Sequence, residues 1–413
     1  MDNEQPLNSP MLLTNSSSGG GFYRLFRSFL AYVQYFITRL LTFFSCLKFI
    51  QINQKYVHLI RLLGEGSYGY VWLVKEYQGT TTQTYALKQL LVREKEQELL
   101  MKKEVEAYQK IQNSYDTSIL SLQSRKNYIL PLLDVAYSQR KDGLQIANLL
   151  FPLMEGNIQD IINTCLDNYQ SSLRSSSSSL PSTSVSSSSS SNNRNILEPF
   201  TEQANLQIAI SLINGLIILH QNGYTHRDLC PRNILIQNKQ GALRGKPYMA
   251  MIGDLGSVAP YPIKLTNRND VTRLLEEASL HSSPPYRAPE LWSADPGMII
   301  TETSDIWSLG CTLYAMAFGY SPYESVRTED GRLRLCEPTH VRILAPLQFP
   351  QYHNYSNQFI TLIKQMLEPI PNKRISLTNA LNIIHNMEGN NSSKDNDNRI
   401  GSNTNAAVTI IVK

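Results

Sequence analysis

The chain has few charged residues and few cysteines, and it has no dense basic block. Charged residues make up 17% of its 413 residues, and the formal net charge is only +4. A partner nucleic acid is therefore not expected. Five cysteines occur without CxxC spacing, which argues against a zinc site or a disulfide framework and predicts reduced thiols in the cytosol. They are Cys46, Cys165, Cys230, Cys311 and Cys336.

Three segments are too polar and too repetitive to bury a core. Residues 1–21 are rich in Asn, Ser, Pro and Gly, residues 168–195 are almost all Ser and Asn, and residues 387–413 return to Asn, Ser and Asp. We predict a disordered N-terminus, a disordered surface insertion and a disordered tail. The hydrophobic content of 42% is enough for one large domain between the two ends.

Residues 22–50 have an apolar, aromatic-rich pattern with three- and four-residue spacing, which predicts an amphipathic helix. Arg39 near its middle disfavours a membrane-spanning helix, so we expect it to lie in the membrane interface. Two alternatives stay open. The helix could pack on the following domain, or it could be an organelle presequence, because no acidic residue occurs between Glu4 and Glu65.

A glycine-rich turn lies between two apolar stretches that read as strands. Glycines in such a turn let backbone amides approach phosphate oxygens without a Cβ in the way. An ordinary hairpin is the alternative if no other phosphate-binding residue follows. The candidate binding residues are Leu63, Gly64, Glu65, Gly66, Ser67, Tyr68, Gly69, Tyr70 and Val71.

Lys88 ends a short apolar strand after this turn, and a buried lysine needs an anionic partner. A charged helical pattern over residues 94–111 offers three glutamates, Glu98, Glu104 and Glu106. We choose Glu104, sixteen residues after the lysine, as its partner. The other two are expected to be solvated surface charges.

Residues 226–233 read His-Arg-Asp-Leu-Cys-Pro-Arg-Asn, and Asp254-Leu255-Gly256 follows twenty-one residues later. With the glycine-rich turn and Lys88, these motifs occur in the order of the protein kinase signature. The chain therefore resembles a eukaryotic protein kinase. The resemblance implies an α+β, bilobal fold over residues 56–386, with a small β-rich N-lobe and a larger helical C-lobe. It also implies ATP and Mg²⁺ as cofactors and proteins as substrates.

The resemblance also assigns roles to single residues. Asp228 would accept or orient the proton of the substrate hydroxyl, and Asn233 and Asp254 would hold Mg²⁺. Lys88 would bind the nucleotide phosphates, Glu104 would complete the cofactor site by pairing with Lys88, and backbone groups near Met154 would bind adenine.

Cys230 departs from the pattern, because serine/threonine kinases usually have a lysine there that neutralises the transferred phosphate. Arg232 stands where many tyrosine kinases have an arginine, and we hypothesise that it supplies the missing cation. Two alternatives stay open. Arg232 could be merely exposed with activity reduced, or the chain could be a pseudokinase scaffold that binds ATP with weak transfer.

Other motif residues have predicted structural roles. Glu290 should form a buried ion pair with Arg374, and Asp305 should brace the catalytic loop. Ser283 aligns with the residue that contacts the catalytic aspartate in serine/threonine kinases.

Asp254-Leu255-Gly256-Ser257, with leucine where phenylalanine is usual, and the stretch from Trp307 to Gly319 resemble the Numb-associated kinase family. The resemblance is strongest to a lipid-anchored member, which implies serine/threonine specificity, autophosphorylation and attachment to the Golgi or another endomembrane on its cytoplasmic face. With Asp2, this chain lacks the Met-Gly start needed for myristoylation. We expect the helix of residues 22–50 to replace that anchor.

Overall fold

The structure, a computed structural model, describes most of the region from residue 49 to residue 398. The described ranges are 49–66, 69–78, 81–117, 128–139, 143–177, 197–237, 249–327 and 333–398. The predictions for residues 1–21, for 22–48, for Ser67 and Tyr68, for the insertion beyond Ser177 and for the tail beyond Asn398 lie outside these ranges.

An antiparallel six-stranded sheet forms the N-terminal lobe, with strand order β1-β2-β3-β4-β6-β5. Its strands are β1 (Phe49–Ile52), β2 (Lys55–Gly66), β3 (Gly69–Gln78), β4 (Thr81–Val92), β5 (Asp134–Gln139) and β6 (Gln145–Pro152). The inner strand β6 is buried at successive positions, with Leu149 in the main core and Leu150 in a small separate core of this lobe. Both faces of the sheet are therefore covered at this strand.

The sheet begins earlier than the sequence predicted. Phe49 pairs with His58 and Ile50 with Val57, so the last two residues of the proposed 22–50 helix lie in a strand and the domain does not start at residue 56. The reason is that Ile52 is fully buried in the small core of this lobe. A strand that buries such a side chain is favoured over continuation of a helix.

One long helix, α1 (Lys95–Thr117), packs against this sheet. Its apolar face, which includes Met101, Val105 and Ile111, is buried in the main core. The periodicity of residues 94–111 predicted this helix, although it continues six residues further than the predicted segment.

The C-terminal lobe is largely helical. Its helices are α2 (Ile158–Ser177), α3 (Glu202–Gln221), α4 (Arg268–His281), α5 (Thr303–Phe318), α6 (His340–Ile343), α7 (Asn357–Met366) and α8 (Leu377–Asn398). Its short strands are β7 (Gly156–Asn157), β8 (Tyr224–Thr225), β9 (Ile234–Gln237), β10 (Met249–Ile252), β11 (Ala259–Pro260), β12 (Ile263–Lys264), β13 (Ile299–Ile300), β14 (Ser325–Arg327) and β15 (Leu333–Leu335). This β-rich small lobe and larger helical lobe confirm the predicted α+β, bilobal architecture.

Helix α3 forms the centre of the larger lobe. Thr201 caps it by accepting a hydrogen bond from the Ala204 amide, as the sequence predicted. Among the described residues, α3 is the one helix long and apolar enough to cross a membrane by length and composition. More than half of that apolar window is buried inside the domain, which is what a core helix requires.

Two segments predicted to be disordered contain helix. Helix α2 continues to Ser177, where Ser171 Oγ donates to the Asp167 carbonyl, so the prediction for residues 168–177 was wrong. Helix α8 continues to Asn398 and buries Met387, so the prediction for residues 387–398 was also wrong. Serine and asparagine are only moderately unfavourable in helices, and packing or a preceding helical turn can outweigh composition.

Helix α5 is buried from Ser304 to Phe318, and Gly310 lies where it crosses α7. A Cβ at this position would lie 2.8 Å from Met366 Cβ, so the two helices approach closely here.

We expect Gly310→Ala to lower the free energy of unfolding by about 1–3 kcal/mol through overpacking, measured by chemical denaturation. Gly389→Ala in α8 is the control, because an added Cβ there meets no atom within 4 Å. Equal stability of both variants would contradict this packing.

Candidate active site

The described glycines of the glycine-rich segment lie at the end of β2 and the start of β3. Gly66 pairs with Gly69, and Val71 pairs with Lys88 on β4. A Cβ at Gly69 would lie 1.8 Å from the Gln89 carbonyl oxygen, so only glycine allows this close approach. The two predicted strands are therefore present and paired, while the binding of nucleotide by the residues of this segment stays a prediction.

Lys88 forms two ion pairs, one within the N-terminal lobe and one with the C-terminal lobe. Its Nζ lies 2.8 Å from Glu104 Oε1 on α1 and 2.6 Å from Asp254 Oδ1. The predicted choice of Glu104 is confirmed, since Glu98 instead pairs with Lys102 on the surface and Glu106 is exposed. These contacts connect the upper lobe to the segment that begins at Asp254.

Charge and burial oppose each other at this triad. Burial lowers the pKa of Lys88, but the carboxylates of Asp254 and Glu104 outweigh it and raise that pKa well above its usual range. The positive charge of Lys88 holds the pKa of Asp254 below its usual range. Burial raises the pKa of Glu104 despite the same cation. Lys88 is therefore a stable cation in the cleft at neutral pH.

The catalytic loop is held from below by Asp305 at the start of α5. Its carboxylate accepts hydrogen bonds from the amides of His226 at 2.8 Å and Arg227 at 2.9 Å. It also contacts His220 Nε2 at 2.8 Å. Although burial opposes ionisation, these partners lower the pKa of Asp305. The predicted bracing role is confirmed.

Asp228 follows Arg227, whose φ of +67° turns the chain sharply. One Asp228 carboxylate oxygen accepts from Asn233 Nδ2 at 3.0 Å and the other accepts from the Ser283 amide at 2.7 Å. The predicted contact of Ser283 with the aspartate is therefore made by its backbone. Its hydroxyl instead accepts from Arg232 Nη2 at 3.2 Å.

Asn233 lies just before β9 and Asp254 lies two residues after β10, at the same end of this strand pair. β9 pairs with β10, and the Gly253 amide donates to the Asn233 carbonyl at 2.8 Å. The Asn233 side-chain nitrogen is used on Asp228, which leaves its amide oxygen as a possible ligand. Mg²⁺ commonly takes one or two protein oxygens and completes its shell with phosphates and water. The two residues fit such a site.

A metal site made by the protein alone is not found in the described part of the chain. No group of three or more His, Cys, Asp or Glu side chains could hold an ion there. An ion bound by Asn233 and Asp254 would therefore depend on oxygens from a bound nucleotide or water.

Cys230 cannot provide a charge to the cleft. Its side chain is 1% exposed, and burial raises its pKa to about 11. At neutral pH it is an uncharged thiol, 3.8 Å from Ser283 Oγ. Arg232 is exposed beside it and shares Ser283 Oγ as a partner. The structure thus brings Arg232 next to the residue that holds Asp228.

Two residues at this site were not found from the sequence. Tyr108 accepts a hydrogen bond from the Leu255 amide at 3.3 Å, and Glu277 on α4 accepts one from Arg227 Nη1 at 3.1 Å. Tyr108 lies one helical turn after Glu104, which was a signal that it faces the same way. Glu277 had no comparable signal, because its partner is fifty residues away.

The predicted structural ion pair of the lower lobe is also present. Arg374 Nη1 and Nη2 donate to the two carboxylate oxygens of Glu290 at 2.6 and 2.7 Å. Both residues are buried, so this pair fixes the end of the segment that starts at Asp254. Met154 lies just after β6 and packs, partly buried, against the main core. Its contact with adenine stays a prediction.

Comparison with known proteins agrees with this geometry. The protein kinase domain family matches residues 187–384, which form most of the lower lobe. Serine/threonine-protein kinase ENV7 of Saccharomyces cerevisiae is 26% identical over 82% of this chain and 94% of its own length. Serine/threonine-protein kinase 16 of Mus musculus is 29% identical over 78% of this chain and 87% of its own length.

A third relative is much longer. A probable serine/threonine-protein kinase of Dictyostelium discoideum is 26% identical over 83% of this chain, which spans only 25% of that protein.

The fold and the site together define a eukaryotic protein kinase domain. By this domain the chain is a protein kinase, and the relatives that match most of it are serine/threonine-protein kinases.

Proposed function

We propose that the chain transfers the γ-phosphate of ATP to serine and threonine hydroxyls of proteins, including its own. The observation that carries this proposal is the bonded arrangement of Lys88, Asp228, Asn233 and Asp254 around one cleft. A scaffold that had lost catalysis would not need all four side chains so arranged. Phosphoryl transfer depends on positioning and charge neutralisation, and these residues supply both.

Each residue has a task in this proposal. Ser283 and Asn233 fix the Asp228 carboxylate, so that it can orient a substrate hydroxyl and take its proton. Glu104 holds the Lys88 ammonium group in place, so that its positive charge can stabilise the nucleotide phosphates. Mg²⁺ bound by Asn233 and Asp254 would neutralise charge on those phosphates.

Arg232 is proposed to supply the positive charge that Cys230 lacks. Its guanidinium is exposed and is positioned by Ser283, whose amide holds Asp228. A guanidinium is always charged and can stabilise the negative charge on the phosphoryl group in the transition state of transfer. The uncharged, buried thiol of Cys230 also supports the alternative, a pseudokinase scaffold with weak transfer.

We further propose that the kinase belongs to the Numb-associated group, nearest to the myristoylated and palmitoylated serine/threonine kinase. Its similarity to serine/threonine-protein kinase 16 supports this. The amphipathic pattern of residues 22–48 supports contact with a cytoplasmic membrane face, at the Golgi or another endomembrane.

The first prediction of this proposal is phosphate transfer. With labelled ATP and Mg²⁺, the full chain should label itself and a generic protein substrate on serine and threonine, as read by phosphoamino-acid analysis. Asp228→Asn should abolish the labelling, because it removes the proton acceptor while keeping the shape. Nucleotide binding without transfer in the unmodified chain would instead favour the scaffold.

The second prediction concerns Arg232. Arg232→Ala should lower the rate of transfer about tenfold or more, or ~1.4 kcal/mol in activation free energy. Adding Cys230→Lys to that variant should recover part of the rate, because the lysine restores a cation near the transferred phosphate. Arg268→Ala is the control, an exposed arginine on α4 outside this contact. An unchanged rate in Arg232→Ala would refute the proposed role.

The third prediction concerns localisation. Residues 1–48 fused to a fluorescent protein should concentrate on cytoplasmic membranes, and Phe29→Ser with Phe36→Ser should release the fusion by removing apolar contacts. A diffuse cytosolic signal from the unaltered fusion would defeat the proposed membrane contact. Accumulation inside an organelle would favour the presequence.

A further inference from the structure

We propose that the Tyr108 hydroxyl positions Asp254 for its metal, acting through the backbone N–H of Leu255. The inference rests on the proposed function, because the binding of Mg²⁺ by Asp254 is part of that proposal. Tyr108 would be a positioning residue that touches neither the substrate nor the metal.

The contact is buried and specific. Tyr108 is 2% exposed, Leu255 is fully buried, and the Leu255 amide donates to the Tyr108 hydroxyl at 3.3 Å. The Tyr108 ring also packs on Phe151, with 5.3 Å between ring centroids. Phe151 lies on β6, the strand that ends two residues before Met154. Tyr108 therefore connects α1, β6 and the residue after Asp254.

Asp254 needs such support because its backbone is in an unusual conformation. Its φ is +54°, in the left-handed region that residues with a Cβ seldom adopt. Its side chain is half exposed and is held by Lys88 Nζ and by the Gly256 amide at 3.2 Å. Strain of this kind persists only where the surrounding contacts enforce it.

The Tyr108 contact differs from the other two because it leaves the carboxylate untouched. Lys88 and the Gly256 amide both bind Asp254 Oδ1 itself. Ligation of a metal by Asp254 would compete with such bonds, and nucleotide phosphates would compete for Lys88. The bond from Leu255 to Tyr108 uses no atom that the metal or the phosphates need. It can therefore hold the backbone while the side chain exchanges partners.

The hydroxyl is also the only part of the side chain that makes this bond. Burial raises the pKa of Tyr108 far above its usual range, so the group stays a neutral hydroxyl. Tyr108→Phe would keep the ring packing on Phe151 and remove one acceptor. The Leu255 N–H would then be buried without this partner, which favours a turn of the segment away from its present conformation.

The test uses the full chain and the Tyr108→Phe variant, with a non-hydrolysable ATP analogue titrated by calorimetry in EDTA and at rising Mg²⁺. We expect the variant to need about tenfold more Mg²⁺ to reach half of the gain in affinity for the analogue. A change of this size corresponds to the loss of one hydrogen bond to a buried amide. Its affinity in EDTA should change by less than about twofold, because Lys88 and Glu104 are unaltered. Hydrogen exchange of the peptide that contains Leu255 should be faster in the variant.

The matched control is Tyr137→Phe, which removes a hydroxyl from a side chain on β5 that is 60% exposed. It should leave both titrations and the exchange unchanged. An unchanged Mg²⁺ requirement in Tyr108→Phe would overturn the inference. So would an equal loss of affinity in EDTA and in Mg²⁺, because that would indicate general distortion of the pocket.

The outcome for the unmodified chain separates the two proposals. A chain that binds the analogue more tightly with Mg²⁺ but transfers no phosphate would contradict the proposed function and leave the role of Tyr108 open to the same titration. A chain in which Mg²⁺ has no effect on binding would contradict the metal role of Asp254, and with it this inference. Should Tyr108→Phe prove unstable, Phe151→Leu is measured by hydrogen exchange instead, because it weakens the ring packing and keeps the hydroxyl. Unchanged protection of the Leu255 amide would support the role of the hydroxyl, and lost protection would overturn it.

Discussion

The charge of Lys88 is the constraint on which the rest of the structure depends. A largely buried lysine is costly unless anions surround it, and here Glu104 and Asp254 do so from opposite sides of the cleft. Because these partners belong to α1 and to the segment after β10, the two ion pairs fix three separate parts of the chain relative to one another. The same arrangement leaves a permanent cation where nucleotide phosphates would lie.

Below the cleft, one carboxylate plays a similar part for the backbone. Asp305 accepts hydrogen bonds from two backbone amides of the catalytic loop. These bonds support the left-handed conformation of Arg227, the residue before Asp228. Asp228 is then fixed by Ser283, which belongs to a distant part of the chain. Cys230 provides no charge to this loop, and its buried thiol contacts Ser283 Oγ.

Local patterns predicted elements better than they predicted where elements end. The turn at Gly66 and Gly69 and the helix that begins after Thr201 follow from rules that act within a few residues. The starts and ends of β1, α2 and α8 did not follow from composition. Ile52 and Met387 are held by contacts with distant side chains, and such packing outweighs the weak preferences of serine and asparagine.

The sequence by itself determined the candidate chemistry of the chain. The types of residue at 228, 233 and 254, their order and their spacing match the protein kinase signature, and all three can be read without the fold. Only the tertiary structure decided how these residues are held. It selected Glu104 from three nearby glutamates, showed that Ser283 acts through its backbone, and brought the Tyr108 hydroxyl to Leu255. Contacts between residues far apart in the chain depend on the directions of their side chains. Packing and backbone turns set these directions, so the local sequence does not predict them.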